Sequence, residues 1–154
     1  MKRSIPDVWW VVTQFVLMGA LLFSPPVWPI AALERVHGAG VVIAVAGLVL
    51  SGVAAWQLRA ADSFTPMPTP REDAKLLSTG MYGRVRHPIY SCLLLSALGV
   101  AMAMGSVLHA LLFGVLWLFF NAKAAHEEAK LAEKFADYAQ YAARTPRFIP
   151  LPKS

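Results

Sequence analysis

The residues best suited to binding chemistry surround Pro88, where the most polar loop of the chain meets its longest uncharged run. Arg86 and His87 precede the proline and Tyr90 follows it. A proline is tolerated in the first turn of a helix, because its missing N–H would have no partner there. It also disfavours the α conformation at His87. Since the free N–H groups of a helix start attract negative charge, this motif predicts a polar binding site at the mouth of an apolar helix.

A second polar group, Lys123 with His126, Glu127 and Glu128, follows the same uncharged run. Lys123 and Glu127 are four residues apart, so they are neighbours on one helical face. Arg59 forms a third candidate at the end of an earlier apolar run. Taken alone, Arg59 and Lys123 are better interpreted as interface cations whose stems lie along apolar surface. The three groups form one site only if the apolar helices pack as a bundle.

The composition is that of an integral membrane protein. Hydrophobic residues make up 57% of the 154 residues and charged residues only 15%, whereas soluble chains carry about 25% charged residues. The length allows a single domain. Cys92, the one cysteine, cannot form an intrachain disulfide and indicates no compartment.

The apolar runs predict an all-α fold with about four transmembrane helices. The segment 8–23 is preferred as a retained first span over a cleaved signal peptide, because Trp9 and Trp10 resemble a membrane-interface anchor. The segment 38–58 is a second span. As one helix, the uncharged segment 88–122 would reach about 52 Å, against about 30 Å for the hydrocarbon layer. It must therefore fold back at Gly105-Ser106 into a helical hairpin.

Two polar segments complete the predicted single membrane domain, 1–154. A strap over 59–87 contains three alternating prolines that favour an extended conformation: Pro66, Pro68 and Pro70. A cytosolic amphipathic helix is predicted over 124–143, since one apolar stripe follows its spacing: Leu131, Phe135, Tyr138 and Ala142. Residues 1–55 then supply two N-terminal spans, and residues 56–150 supply the core.

The charges predict an orientation with both termini and all candidate site residues in the cytosol. With four spans, only Arg35 of the fourteen lysines and arginines falls outside. The expected location is the cell inner membrane, with membrane lipids as neighbours. This placement accounts for the net charge of +5 without a nucleic-acid partner. The oligomeric state is left open.

Other recognised sites are missing from the sequence. It contains no Gly-x-Gly-x-x-Gly or Walker motif, and its His and Cys residues lack zinc-finger spacing. The His-Glu-x-x-His pattern fails because position 130 is lysine. We therefore expect no metal site.

Residues 56 to 150 resemble the isoprenylcysteine carboxyl methyltransferase family, within the broader group that includes phospholipid N-methyltransferases. The resemblance lies in segments that occur in the same order and spacing as in that family: Leu77-Ser78-Thr79-Gly80-Met81-Tyr82, Arg86-His87-Pro88-Ile89-Tyr90, Glu127-Glu128-Ala129-Lys130-Leu131 and Arg147-Phe148-Ile149-Pro150.

The resemblance implies an integral membrane methyltransferase that uses S-adenosylmethionine and a lipophilic acceptor. The acceptor is expected to be an isoprenylcysteine-like or other carboxylate, an amine or a thiol, entering sideways from the bilayer. Catalytic roles are expected for Arg59, His87 and Glu127. Arg59 would orient an acceptor carboxylate, whereas His87 or Glu127 would act as a base for an amine or thiol. The expected cofactor-binding residues are Met81, Tyr82, Arg86, His87, Pro88, Tyr90, Lys123, Glu127, Glu128 and Leu131.

Three alternatives remain at this stage. A phospholipid N-methyltransferase would use the same cofactor with an amine acceptor. A membrane lipid reductase would need NADPH and usually more spans than this short chain allows. A non-catalytic protein such as a transporter would be expected to place an ionisable residue within a span, where this chain has only His37 and His109, both near predicted span ends.

Overall fold

A computed structural model describes residues 5–61 and 75–150, and this part of the chain is helical. Two 3₁₀ helices span Ala31–Val36 and Gly80–Gly83. The only pairing of β type in the described ranges is an isolated antiparallel bridge between Pro29 and Ser106. The five α-helices are α1 (Ile5–Phe23), α2 (His37–Ala60), α3 (Pro88–Met104), α4 (Val107–Lys134) and α5 (Tyr138–Arg144).

Helix α3 lies at the centre of the bundle and makes its most extensive contact with α2. The two backbones approach closely because glycines of each helix lie against the backbone of the other. A Cβ added at Gly47 would lie 2.5 Å from the Ser96 nitrogen, and one added at Gly99 would lie 2.3 Å from the Ala44 nitrogen. Small residues allow this kind of close packing between membrane helices, where apolar burial offers little driving force.

The hairpin between α3 and α4 turns where the sequence predicted. Gly105 takes a left-handed conformation with φ 54°, which ends α3. Ser106 then caps α4, since its hydroxyl accepts a hydrogen bond from the His109 nitrogen. The connection after α1 packs against this turn, because the Ile30 nitrogen donates to the Gly105 carbonyl at 2.7 Å.

Helix α1 packs antiparallel to α4, and we call this contact the α1–α4 seam. Paired residues recur along it every seven positions, and we call each pairing a step. Lys130 Nζ donates to Asp7 Oδ1 at 2.6 Å, and seven residues along each helix Lys123 Nζ donates to Gln14 Oε1 at 2.6 Å. One step further, both helices contribute leucines to the buried core. The core consists of Leu21, Leu94, Ala97, Leu116, Phe120, Ala124 and Phe148.

The architecture confirms the all-α prediction and supports membrane association. By length and composition, the segment Ala31–Ala60 and α4 are each sufficient to cross a bilayer. The apolar helices Asp7–Phe23 and Pro88–Met104 are shorter, so four crossings remain a prediction. Many large apolar side chains are exposed on α1, α2 and α4, as expected for surfaces that face lipid. The prolines of the predicted strap lie outside the described residues.

The prediction of one continuous helix over 124–143 is wrong, because the helix is interrupted at residues 135–137. Helix α4 continues from the fourth apolar run through Lys134, the chain becomes extended at Phe135, and α5 is a separate helix of seven residues. The change of direction lets the Tyr141 hydroxyl donate to the Tyr82 carbonyl at 2.7 Å, which one straight helix would not place there. The predicted apolar stripe is therefore divided: Leu131 lies in α4 and Phe135 in the extended connection. Tyr138 and Ala142 lie in α5.

Candidate functional site

Hydrogen bonds from backbone N–H groups hold both the Arg86-His87 arm and the turn that precedes it. Before it, the Met81 nitrogen donates to Gln57 Oε1 of α2 at 3.1 Å. Gly80 has φ 60°, and a Cβ there would lie 2.8 Å from the same side-chain oxygen, so glycine suits this turn. Within the arm, the backbone nitrogens of Arg86 and His87 donate to the carbonyls of Pro146 and Arg147, at 2.8 and 3.2 Å. The arm is thus fixed between α2 and the C-terminal segment.

Glu128 is the centre of the ion-pair network. Its Oε1 accepts hydrogen bonds from Arg86 Nε at 3.0 Å and from His87 Nε2 at 3.1 Å. Arg147 donates to both carboxylate oxygens, through Nε at 3.0 Å and Nη2 at 2.7 Å. This two-point contact is the strong form of an arginine–carboxylate pair. Glu128 therefore joins α4, the arm and the C-terminal segment.

Glu127 faces the other side of the same polar group. Its Oε1 accepts a hydrogen bond from the Tyr90 hydroxyl, and its Oε2 lies 3.5 Å from His87 Nδ1. The His87 and Tyr90 rings are stacked, with 5.5 Å between centroids and 2° between planes. Glu127 thus has fewer charged partners than Glu128. We call the resulting set the carboxylate cluster: Arg86, His87, Tyr90, Glu127, Glu128 and Arg147.

Lys123 borders the carboxylate cluster from inside the bundle. Its side chain is almost completely buried, at 2% exposure, and Nζ lies 5.1 Å from the centre of the Tyr90 ring. An ammonium over an aromatic face is attracted by the ring, more strongly where water is excluded. Lys123 is therefore part of the packed interior, which contradicts its interpretation as a cation that extends to the interface.

The C-terminal segment closes over the arm and the start of α3. Arg86 Nη1 donates to the carbonyls of Ala142 and Thr145, each at 2.8 Å. The Ser91 hydroxyl, one turn into α3, donates to the Phe148 carbonyl at 2.8 Å. Phe148 is itself buried in the apolar core. These contacts attach residues 142–148 to the site by hydrogen bonds and by apolar packing.

The electrostatic environment beside the cluster favours neutral tyrosines and a charged arginine. The hydrogen bond to Glu128 raises the pKa of Arg147, so this pair stays ionised. Burial raises the pKa of Tyr141 to about 12, and it also raises the pKa values of Tyr82 and Tyr138. Tyr141 consequently keeps the proton that it donates to the Tyr82 carbonyl.

Most of the predicted site residues converge. His87, Arg86, Tyr90, Glu127 and Glu128 contact one another directly, with Lys123 beside them and Pro88 in the first helical position of α3. Met81 and Tyr82 pack between the arm and the end of α2. Leu131 lies half-buried one turn beyond Glu127 on α4. Arg59 is exposed in the last turn of α2 and is not among the contacts that define the cluster.

Two polar residues of α1 contact α4 and were not among the predicted site residues. Gln14 binds Lys123, and Asp7 binds Lys130 and lies 3.7 Å from His126 Nε2. An amide within a run of apolar residues was the available signal for Gln14, because polar side chains in membrane helices often bond to a neighbouring helix. The pattern alone does not identify the partner. Arg147 was noted only as part of a motif, without a role.

No group of three or more His, Cys, Asp or Glu side chains suitable for a metal ion occurs within 5–61 and 75–150. The donors and acceptors of the cluster suit an organic zwitterion better, since guanidinium and imidazole groups lie beside carboxylates. The sequence expectation of no metal site stays a prediction for the whole chain.

The comparisons with known proteins point to methyltransferases. Residues 36–138 match the family model described as phospholipid methyltransferase. Over 82 residues the chain is 43% identical to the protein-S-isoprenylcysteine O-methyltransferase of Schizosaccharomyces pombe, covering 52% of this chain and 35% of that protein. It is 33% identical to the cobalt-zinc-cadmium resistance protein CzcN of Cupriavidus metallidurans, covering 97% of this chain and 65% of that protein. It thus spans between about a third and two-thirds of these curated relatives.

Proposed function

Because this chain belongs to the phospholipid methyltransferase family, which also accounts for its resemblance to the isoprenylcysteine carboxyl methyltransferases, we propose that it is a membrane methyltransferase that uses S-adenosylmethionine. The observation that carries the proposal is the carboxylate cluster between the start of α3 and α4. It brings together two of the four segments on which the resemblance rests, 41 residues apart at His87 and Glu128.

The chemistry of the cluster fits the amino-acid end of this cofactor, which carries an ammonium and a carboxylate. Glu128 is already paired with two arginines and a histidine, so it holds the walls of the site together. Glu127 accepts from a neutral hydroxyl and has a longer contact with His87, so it is the carboxylate available to an ammonium. The start of α3, with His87 and Arg86, would receive the carboxylate. Lys123, Pro88 and Leu131 would line the site, and Met81 and Tyr82 would support the arm.

When bound, S-adenosylmethionine supplies a methyl group on a sulfonium. A carboxylate acceptor needs no base, so the protein has only to align the two reactants and exclude water. An amine or thiol acceptor must lose a proton, which Glu127 or His87 would accept. We assign Arg59 to the acceptor side, where its exposed position at the end of α2 suits a charged headgroup at the interface.

The acceptor is lipophilic in our proposal, because the described helices expose extensive apolar surface to the bilayer. An isoprenylcysteine-like carboxylate is the first candidate, on the basis of the identity with the Schizosaccharomyces pombe relative. A phospholipid amine is the second, on the basis of the family model. We further propose that α1, α2, α3 and α4 all cross the membrane, with the cluster on the cytosolic side where a water-soluble cofactor arrives.

The central experiment is calorimetric titration of the detergent-purified protein with S-adenosylhomocysteine. The wild type should bind saturably, Glu127→Gln and His87→Ala should bind at least about tenfold more weakly, and Glu133→Gln should bind like the wild type. Glu133 lies on the same helix with an exposed side chain, so it controls for loss of charge. A folded wild type that does not bind would overturn the proposal, and saturable binding of NADPH instead would indicate a reductase.

The acceptor is identified by a second experiment with a radiolabelled methyl donor. Membranes containing the protein are supplied with either an S-prenylated N-acylcysteine or phosphatidylethanolamine. A labelled methyl ester releases methanol in mild alkali, whereas an N-methyl group is stable, so the product reports the acceptor atom. Label in neither product, from a protein that binds the cofactor, would exclude both acceptors.

A further inference from the structure

The α1–α4 seam changes character along its length. Its first two steps are polar: Asp7 pairs with Lys130, and Gln14 pairs with Lys123. Its third step is apolar and consists of the buried Leu21 and Leu116. The first polar step lies toward the end of α4, where Lys130 is partly exposed. The second lies within the packed bundle, directly beside the carboxylate cluster. In both steps a lysine of α4 donates to a side-chain oxygen of α1, as an ion pair far from the site at Asp7 and as a hydrogen bond to a neutral amide beside the site at Gln14.

The contact of Gln14 with Lys123 continues into the cluster without interruption. Lys123 Nζ is bound by Gln14 Oε1 at 2.6 Å and lies over the Tyr90 ring, and the Tyr90 hydroxyl donates to Glu127. Each link passes from one helix to another, in the order α1, α4, α3 and back to α4. A lysine stem has many rotamers, so without an acceptor on α1 a buried ammonium would be drawn to another one. The carboxylate of Glu127, one turn along the same helix face, is the nearest acidic alternative on α4.

We propose that Gln14 is a positioning residue of the cofactor site, which holds the Lys123 ammonium against Tyr90 and away from Glu127. The inference rests on the proposed function, because it assigns Glu127 to the cofactor. It extends the site to α1, which lies outside the segment 36–138 matched by the family model. Gln14 acts through Lys123 and touches no reacting atom.

The test is a double-mutant cycle with S-adenosylhomocysteine binding as the measured quantity. Gln14→Met keeps the length of the side chain and removes the acceptor, and Lys123→Met removes the ammonium. In Gln14→Met the released Lys123 ammonium should compete with the ammonium of the ligand for Glu127. A competing contact between charged groups is strong enough to weaken binding about tenfold, so this variant should bind about tenfold more weakly than the wild type. The double variant should bind no more weakly than Lys123→Met alone, because the two residues act as one unit.

Asp7→Asn is the matched control, since it weakens the other polar contact of the same seam. It should lower the melting temperature and leave the dissociation constant unchanged. Equal weakening of binding by Asp7→Asn and Gln14→Met would show that the seam only packs the helices. Wild-type affinity in Gln14→Met, or additive effects in the double variant, would also overturn the proposal. A wild type that does not bind at all would instead overturn the proposed function.

Discussion

Arg86 Nε and Glu128 Oε1, 42 residues apart in the sequence, are joined by a hydrogen bond of 3.0 Å. The same arginine donates through Nη1 to two carbonyls of the C-terminal segment, and the same carboxylate binds Arg147 of that segment. Three separate parts of the chain therefore meet at one ion pair. Because these residues also surround the proposed cofactor site, the closure of the C-terminal segment and the shape of the site depend on the same contacts.

Glu128→Gln should destabilise the protein by about 2 kcal/mol, because it removes the charge that two arginines share while leaving both guanidinium groups in place. The side chains of Arg86 and Glu128 are each 14% exposed, so solvent weakens the pair only partly. The free energy of unfolding in detergent measures the effect. Residues 135–150 should also become more sensitive to protease. Glu133→Gln, on an exposed part of the same helix, should change neither property, and an equal loss in both variants would contradict the assignment.

Two glycines of α2 should respond in opposite directions to the same substitution. At Gly47 a Cβ would meet the Ser96 backbone at 2.5 Å, so Gly47→Ala should force α2 and α3 apart and cost about 2 kcal/mol or more. At Gly52 nothing lies within 4 Å, so Gly52→Ala should stabilise the helix by about 0.5–1 kcal/mol. Thermal unfolding of the two variants compares them directly. Destabilisation by Gly52→Ala would contradict the described contact between the helices.

Alkaline pH should unfold the protein through its buried tyrosines. Burial raises the pKa of Tyr141 from 10.0 to about 12, so the folded state keeps a proton that the unfolded state loses. The contribution of Tyr141 to the free energy of unfolding is therefore fully present below pH 10 and is lost as the pH rises toward 12. Tyrosinate absorbance and helical circular dichroism should change together across this range. In Tyr141→Phe the fall in stability over the same range should be shallower, and an unchanged slope would exclude Tyr141 as a cause.

Local sequence features predicted the parts of the fold that local chemistry determines. The break at Gly105-Ser106 was predicted because the uncharged segment 88–122 is too long for one crossing and a Gly-Ser pair is its natural turn. The structure adds the reason, a left-handed Gly105 that ends α3 and a Ser106 that caps α4. The meeting of His87 with Glu127 and Glu128 was predicted on the condition that the apolar helices pack as a bundle, because the two motifs border the same uncharged run on one expected side of the membrane. The break itself required no knowledge of which helices are neighbours.

The parts of the fold and of the site that the sequence did not predict depend on tertiary contacts. The alanine-rich segment 124–143 has strong helix propensity throughout, yet the contact of Tyr141 with Tyr82 favours a change of direction after Lys134. Lys123 was expected at the interface, because its burial depends on an acceptor from α1 that the sequence could not assign. The partner of Gln14 follows from the antiparallel register of two helices separated by about a hundred residues, and one sequence does not reveal that register.

Tyr90→Phe tests whether Glu127 must be oriented for cofactor binding. The substitution removes the hydroxyl that donates to Glu127 and keeps the ring beneath Lys123, so the cation–π contact survives. S-adenosylhomocysteine should bind about tenfold more weakly, because the carboxylate loses a fixed hydrogen bond. Tyr138→Phe is the matched control. Its hydroxyl is buried and accepts or donates no hydrogen bond within the described residues, so its removal should leave binding unchanged and stability equal or higher. Similar affinities for the two variants would show that Glu127 needs no support from Tyr90.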